Sequence, residues 1–245
     1  MKLTWYIKDL KDYVSELYGE EQRQALSISL DSIFENQDFA RFHYAEVQRL
    51  IKGHMEGKNP AYDYVKLMLA TDAETLNAEF EFKLAYRANV FALLKNLHSI
   101  ADFLAHVLYY AFGLNLCKQT FIEPDKLNLY HTKKSLEKIQ ITDELKALID
   151  SLTNHDDYRY LRDLVNHTKH RSNILSRLTY DSNQVGEDVY QVSFLPFENY
   201  GTVAVNEYLH REYDRQSSIV IEIGQHINHA VKCVLTKHLR VIPNA

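Results

Sequence analysis

The sequence predicts an all-α fold, a helical bundle with one small β-hairpin between its last two helices. The chain of 245 residues has only 7 Gly and 4 Pro, which favours long uninterrupted helices over a turn-rich β fold. Several long segments repeat apolar residues at the spacing of three and four that is typical of a helix. One short segment alternates apolar and polar residues instead, as a strand pair does.

Residues 1–70 are predicted to form an N-terminal helical extension with two to four amphipathic segments. The clearest segment covers residues 39–56 and ends at Gly57, and a shorter one covers residues 62–69. We expect a separate domain to follow over residues 71–245.

The longest predicted helix begins at Thr71, because Thr71-Asp72-Ala73-Glu74 has the form of a capping box. Apolar residues recur at helical spacing from Val90 onward, and Gly113 is a natural C-terminal stop. This helix is expected to be the central core helix of the domain.

Shorter elements are predicted after Gly113. An irregular loop is expected over residues 114–131, followed by helices over residues 132–140 and 143–152, and Thr142 is the predicted N-cap of the second helix.

The predicted hairpin covers residues 176–195, with its turn near Asn183-Gln184-Val185-Gly186. Pro196 ends the hairpin, and a last helix with one apolar face is expected over about residues 205–238.

Composition limits the environment and the partners. The net charge of -5 gives the whole chain no electrostatic reason to bind nucleic acid or acidic membranes, so RNA binding would need a local patch. Cys117 and Cys233 have no metal-ligand spacing and are interpreted as free thiols in a reducing compartment or as small core residues. No stretch reaches the roughly 18 apolar residues of a membrane span. We expect a cytoplasmic protein with no membrane partner.

The histidine pairs do not predict a metal or a cofactor. His226 and His229 lack a carboxylate at the right phase, and Glu207 and His210 match only half of a di-iron signature. We therefore expect no metal and no cofactor.

The segment densest in reactive side chains is the predicted helix over residues 156–173. On a helical wheel one side is expected to pack in the core. That side contains Tyr158, Leu161, Leu164, Val165 and Thr168. The other side gathers cations, imidazoles and one carboxylate, together with Tyr160, whose hydroxyl is expected to face water. Its polar members are Arg159, Arg162, Asp163, Asn166, His167, Lys169, His170 and Arg171.

Wheel positions indicate which of these side chains can cooperate. Asp163 and His167 are four residues apart and can touch, as can Arg162 and Asn166. Arg162 and His167 are about 140° apart, so only the long reach of the arginine would bring both to one phosphate. Asp163 lies between them and could orient either one.

Arg162-Asp163-Leu164-Val165-Asn166-His167 resembles the Arg-x4–6-His motif of the HEPN superfamily (higher eukaryotes and prokaryotes nucleotide-binding domain), in which a polar residue follows the Arg. The stretch over residues 160–171 resembles an uncharacterised bacterial branch of that superfamily. The order of bundle, motif helix, hairpin and last helix is also similar, so the resemblance covers residues 72–238.

The resemblance implies a metal-independent RNA endonuclease or nucleotide-binding protein, as in bacterial defence or toxin–antitoxin systems. It implies a homodimer in which two motif helices form one cleft, with RNA and a cognate antitoxin or regulatory protein as candidate partners. His167 would help deprotonate a ribose 2′-OH or protonate the leaving oxygen, and Arg162 would stabilise charge on the phosphate. Asp163 and Asn166 would orient those two. The candidate substrate-binding residues are Arg159, Lys169, His170 and Arg171.

Two other interpretations of this helix stay open. The spacing alone is a weak signal, because Arg49 and His54 repeat it with Leu50 in place of the polar residue. The chain could instead be a non-catalytic helical dimer that acts as an interaction or regulatory module, or the residues could form an ordinary solvated face with ion pairs.

Overall fold

The protein, seen in a computed structural model, is described over residues 4–57, 65–66, 69–139, 141–180 and 190–241. The all-α class with a small hairpin before the last helix is confirmed. The α-helices of the described residues are α1 (Ile7–Tyr18), α2 (Glu20–Met55), α3 (Ala73–Ala111), α4 (Leu129–Leu136), α5 (Asp143–Asn154), α6 (Asp156–His170) and α7 (Val205–Val241).

The N-terminal region forms one short and one long helix. The predicted segment over residues 39–56 is the second half of α2, which begins as early as Glu20. Gly19 separates α2 from α1, because its φ of 89° breaks the helical backbone. Glycine adopts this φ easily, whereas residues with an L side chain rarely do. The predicted segment over residues 62–69 falls mostly outside the described residues.

The start of α3 corrects the predicted capping box. Asp72, not Thr71, supplies the cap, because its carboxylate accepts the backbone N–H of Thr75 at 2.8 Å. The predicted stop at Gly113 is confirmed: α3 ends at Ala111, and Gly113 has a φ of 60°. A Cβ on Gly113 would also lie 3.0 Å from the ring of Tyr18.

The loop predicted over residues 114–131 is shorter than expected. It contains two 3₁₀ turns, Leu114–Leu116 and Pro124–Lys126, and α4 begins at Leu129. The helix begins early because the Asn128 side chain accepts the backbone N–H of His131 at 3.1 Å. Thr142 caps α5 as predicted, and its hydroxyl oxygen accepts the N–H of Leu145 at 3.3 Å.

Between α6 and α7, the described residues form four short strands. They are β1 (Thr179–Tyr180), β2 (Tyr190–Gln191), β3 (Ser193–Phe194) and β4 (Val203–Ala204). The predicted hairpin is the antiparallel pair β1–β2, whose predicted turn lies outside the described residues. The antiparallel pair β3–β4, with Phe194 opposite Val203, was not predicted.

The chain divides into two compact units. Unit 1 contains residues 1–37, 98–159 and 214–245, and unit 2 contains residues 38–97 and 160–213. The boundary expected at residue 70 stays a prediction. Among the described residues, no helix combines the length and the apolar character that a membrane crossing needs.

Unit 1 fixes the N-terminal segment against α7 through Trp5. The indole N–H of Trp5 donates to the Asn228 side-chain oxygen at 3.0 Å, and the Asn228 amide donates to the Tyr6 carbonyl at 2.6 Å. The Trp5 ring lies 5.7 Å from that of Phe34 and is 7% exposed. A buried indole with its N–H satisfied makes a large apolar contribution to this core.

Gly224→Ala is expected to lower the free energy of unfolding by about 1–3 kcal/mol, since overpacking a filled core has this cost. Alanine normally stabilises a helix interior by about 1 kcal/mol relative to glycine. At Gly224, however, a Cβ would lie 2.1 Å from the Trp5 ring. Urea unfolding of the full chain measures the change.

Gly53→Ala in α2 is the matched control, because a Cβ there meets nothing within 4 Å. It should be neutral or stabilising by up to about 1 kcal/mol. Equal effects of the two substitutions would contradict this packing.

Both cysteines, Cys117 and Cys233, are free and exposed. The interpretation as free thiols is therefore the one that fits, and their interpretation as core residues is wrong.

Candidate functional site

Helix α6 separates an apolar side from a polar side largely as predicted. The predicted apolar side is buried apart from Thr168, which is half-buried. On the polar side, Arg162 and Asn166 are exposed, whereas Asp163 and His167 are half-buried. The helix ends at His170 rather than at Asn173, and the backbone N–H groups of Arg171 and Ser172 both donate to the His167 carbonyl oxygen.

Tyr160 corrects the prediction of a water-facing hydroxyl. The residue is 5% exposed, and its hydroxyl has no hydrogen-bond partner among the described residues. Burial raises the pKa of this phenol. Its ring is surrounded by four aromatic rings with centroids 4.8–6.2 Å away. These rings belong to Phe194, Phe197, Tyr200 and Tyr208.

Asp163 joins Arg162 to the segment between β3 and β4. The Nε–H of Arg162 donates to one carboxylate oxygen of Asp163 at 2.9 Å. The Tyr200 hydroxyl donates to the other oxygen at 2.6 Å. Each oxygen of the carboxylate therefore accepts one hydrogen bond, and the guanidinium of Arg162, which is 49% exposed, is held in a defined orientation.

A tight turn positions the Tyr200 hydroxyl. Phe197 and Tyr200 exchange backbone hydrogen bonds of 3.2 and 2.9 Å, and the intervening Glu198 has a φ of 49°. A glutamate with positive φ is strained by about 1 kcal/mol or more. The strain is offset by packing of the Phe197 and Tyr200 rings against Tyr160.

The hydrogen bonds set the protonation states of this pair. Burial acts to raise the pKa of Asp163, but the hydrogen bonds from Arg162 and Tyr200 outweigh it and lower the pKa. The hydrogen bond to Asp163, together with burial, raises the pKa of Tyr200 to about 12. At neutral pH Asp163 is therefore ionised and Tyr200 is neutral.

His167 contacts different groups from those predicted. Its Nε2 lies 3.1 Å from the Ser172 hydroxyl, and its ring centroid lies 5.1 Å from that of Phe197. Its Nδ1 is buried and has no hydrogen-bond partner among the described residues. The contact with Asp163 that the wheel allowed does not form: Nε2 of His167 lies against Ser172, and the Asp163 carboxylate accepts from Arg162 and Tyr200.

The remaining predicted residues differ in their surroundings. Asn166, Lys169 and His170 are exposed on α6. The guanidinium of Arg171 lies 3.1 Å from the Glu198 carboxylate. Arg159 belongs to unit 1, where it donates to the Asn154 carbonyl at 2.6 Å, so the structure does not group it with the others.

We name Arg162, Asp163, His167, Ser172 and Tyr200 the α6 site. Tyr200 and Ser172 were missed from the sequence. Ser172 lies just beyond the end of α6, whereas the sequence predicts a helix that continues through it. Tyr200 is 37 residues from Asp163, and no local pattern connects the two.

Tyr200→Phe is expected to lower the free energy of unfolding by about 1–2 kcal/mol at pH 7, because it removes a hydrogen bond to an ionised group at a partly exposed position. The folded-state pKa of Asp163 is depressed, so this contribution is present above the unfolded pKa near 4 and is lost as the pH falls below it. Urea unfolding of both proteins from pH 7 to pH 3 measures the effect. A difference that stays constant over that range would contradict the Asp163–Tyr200 contact.

The α6 site combines a cation, a carboxylate, an imidazole and two hydroxyls. An oriented guanidinium can bind a phosphate through two parallel hydrogen bonds. An imidazole can transfer a proton near neutral pH. Because Nδ1 of His167 is buried, Nε2 is the nitrogen that can do so, and its present contact is the exposed Ser172 hydroxyl.

Comparison with known proteins provides no relative. No family model, no curated protein and no solved structure matches the chain. The function therefore has to follow from the chemistry of its own side chains.

Proposed function

We propose that the chain is a metal-independent RNA endonuclease of the HEPN type. The proposal is carried by one observation: a guanidinium oriented by Asp163 and an imidazole whose Nε2 lies against the exposed Ser172 hydroxyl project from the polar side of α6. The resemblance of residues 162–167 to the HEPN motif supports it. A place in bacterial defence or in a toxin–antitoxin pair, with a cognate antitoxin, belongs to the same proposal.

In this scheme His167 is the general base and then the general acid. Its Nε2 leaves the Ser172 hydroxyl and takes the proton of a ribose 2′-OH. The 2′-oxygen then attacks phosphorus, and the bond from phosphorus to the 5′-oxygen breaks. The proton is returned to that leaving oxygen, so the products are a 2′,3′-cyclic phosphate and a 5′-hydroxyl.

Arg162 stabilises the negative charge that develops on the phosphate. Negative charge grows on the non-bridging phosphate oxygens during the attack, and donors that are already oriented stabilise it without reorganising. Asp163 supplies that orientation by accepting the Nε–H of Arg162, and Tyr200 holds Asp163 in turn. Tyr200 is thus a positioning residue, not a catalytic one.

The cations around the α6 site would hold flanking phosphates. Lys169 and His170 are exposed in the last turn of α6, and Arg171 follows it. Arg171 must exchange its Glu198 partner for a phosphate, so its contribution to affinity should be the smaller one. As the resemblance implies a homodimer, two α6 helices would supply these groups to one cleft.

The experiment is RNA cleavage by the purified full chain in excess EDTA. We expect cleavage of a single-stranded RNA with cyclic phosphate ends, and no cleavage of DNA of the same sequence, which lacks the 2′-OH. Intact RNA across varied substrates, with a folded dimer verified by light scattering, would overturn the proposal.

A non-catalytic interaction module is the second candidate, and one observation favours it. Leu76, Phe80 and Leu84 stand four residues apart on α3 and are 49%, 62% and 60% exposed. An apolar row of this kind is typical of protein-binding surfaces. Intact RNA together with a stable complex that Phe80→Glu disrupts would establish this alternative.

A further inference from the structure

Unit 2 contains a cavity of about 320 Å³ away from the α6 site. Its apolar wall comes mainly from α3 and from the segment around β1 and β2, and includes Leu76, Phe80, Phe82, Leu178 and Val192. Small-molecule sites range over about 300–1,000 Å³ and are mostly apolar with a few polar groups. This cavity has the size for a molecule of one or two rings.

Tyr86 lies in the wall of this cavity, but its hydroxyl is not a group that a bound molecule can reach. The residue is 2% exposed, and its hydroxyl oxygen is buried. The polar groups open to a bound molecule are therefore the charged side chains of the lining.

The charged lining is mainly positive. Lys83, Arg87 and Arg177 contribute cations, and Glu79 contributes the one acidic group among the described lining residues. Glu79 is engaged, because its carboxylate lies 2.6 Å from Nε2 of His54. Arg87 is held in place by donating to the Leu175 carbonyl at 2.9 Å.

We propose that this cavity binds a small organic anion with an aromatic body, whose carboxylate faces Lys83 and Arg87. The aromatic body would pack against Phe80 and Phe82. The proposal does not rest on the nuclease activity, since none of these residues belongs to the α6 site.

The experiment is calorimetric titration of the full chain with 1-naphthoate and with uncharged 1-naphthylmethanol. We expect 1-naphthoate to bind more tightly than the alcohol.

Lys83→Gln tests whether the positive charge of Lys83 contributes to binding, and this exposed position is not critical for folding. Lys95→Gln is the matched control, because Lys95 is also exposed on α3 but does not line the cavity. Lys83→Gln should weaken naphthoate binding and leave the alcohol unaffected, whereas Lys95→Gln should change neither. The proposal is overturned if naphthoate does not bind, or if Lys83→Gln binds it as the natural chain does.

Discussion

His167→Ala is expected to lower the single-turnover rate of RNA cleavage by about 10²–10⁴-fold, the usual contribution of a general acid–base group. The reason is geometric, because Nδ1 is buried and Nε2 is the nitrogen that can exchange a proton with the substrate. Quench-flow cleavage of an end-labelled RNA in EDTA measures the rate.

His229→Ala is the control for this substitution. His229 is exposed on α7, where its Nε2 lies 3.6 Å from the Cys233 sulfur, and it belongs to unit 1. It should cleave at the natural rate. Unchanged cleavage in His167→Ala would remove the imidazole from the mechanism even if the protein proved to be a nuclease.

Arg162→Ala is expected to lower the cleavage rate by about 10²–10³-fold, as the loss of one preorganised donor to a developing oxyanion does. Arg162→Lys should recover only part of the rate, because an ammonium cannot present two parallel donors to a phosphate. Single-turnover rates at saturating RNA separate this loss from weaker binding.

Arg49→Ala is the matched control, since Arg49 stands at the same distance before His54. Its guanidinium is 66% exposed and pairs with Glu46 at 2.7 Å. His54, by contrast, stacks on Phe82 with ring centroids 3.9 Å apart, so this second pair is not arranged like the α6 site. Equal losses in Arg49→Ala and Arg162→Ala would mean that the effect is one of general charge.

The helices could be predicted from the sequence because local rules determine them. Apolar periodicity located α3 and α7, and side-chain capping located the start of α5. The errors lie where two local signals compete. Thr71 and Asp72 can both cap a helix, and the carboxylate makes the bond in the structure.

The candidate site could be predicted only in part. The helical wheel separated the buried and exposed sides of α6, because that division follows from backbone geometry alone. The wheel could not place Tyr160. The aromatic residues that hold its ring, from Phe194 to Tyr208, come 34 to 48 positions later in the sequence. Tyr200 was missed for the same reason, as its contact with Asp163 depends on a turn between two strands of two residues each.

The central claim is that Arg162 and His167 meet the same phosphate. The most direct measurement is NMR of the full chain with selective labels on histidine and on arginine Nε, titrated with a dinucleotide that lacks the 2′-OH and cannot be cleaved. We predict that the His167 ring and the Arg162 Nε–H shift together with one dissociation constant, while Arg49 and His229 do not move. Saturable shifts elsewhere, with His167 and Arg162 unmoved, would contradict the account.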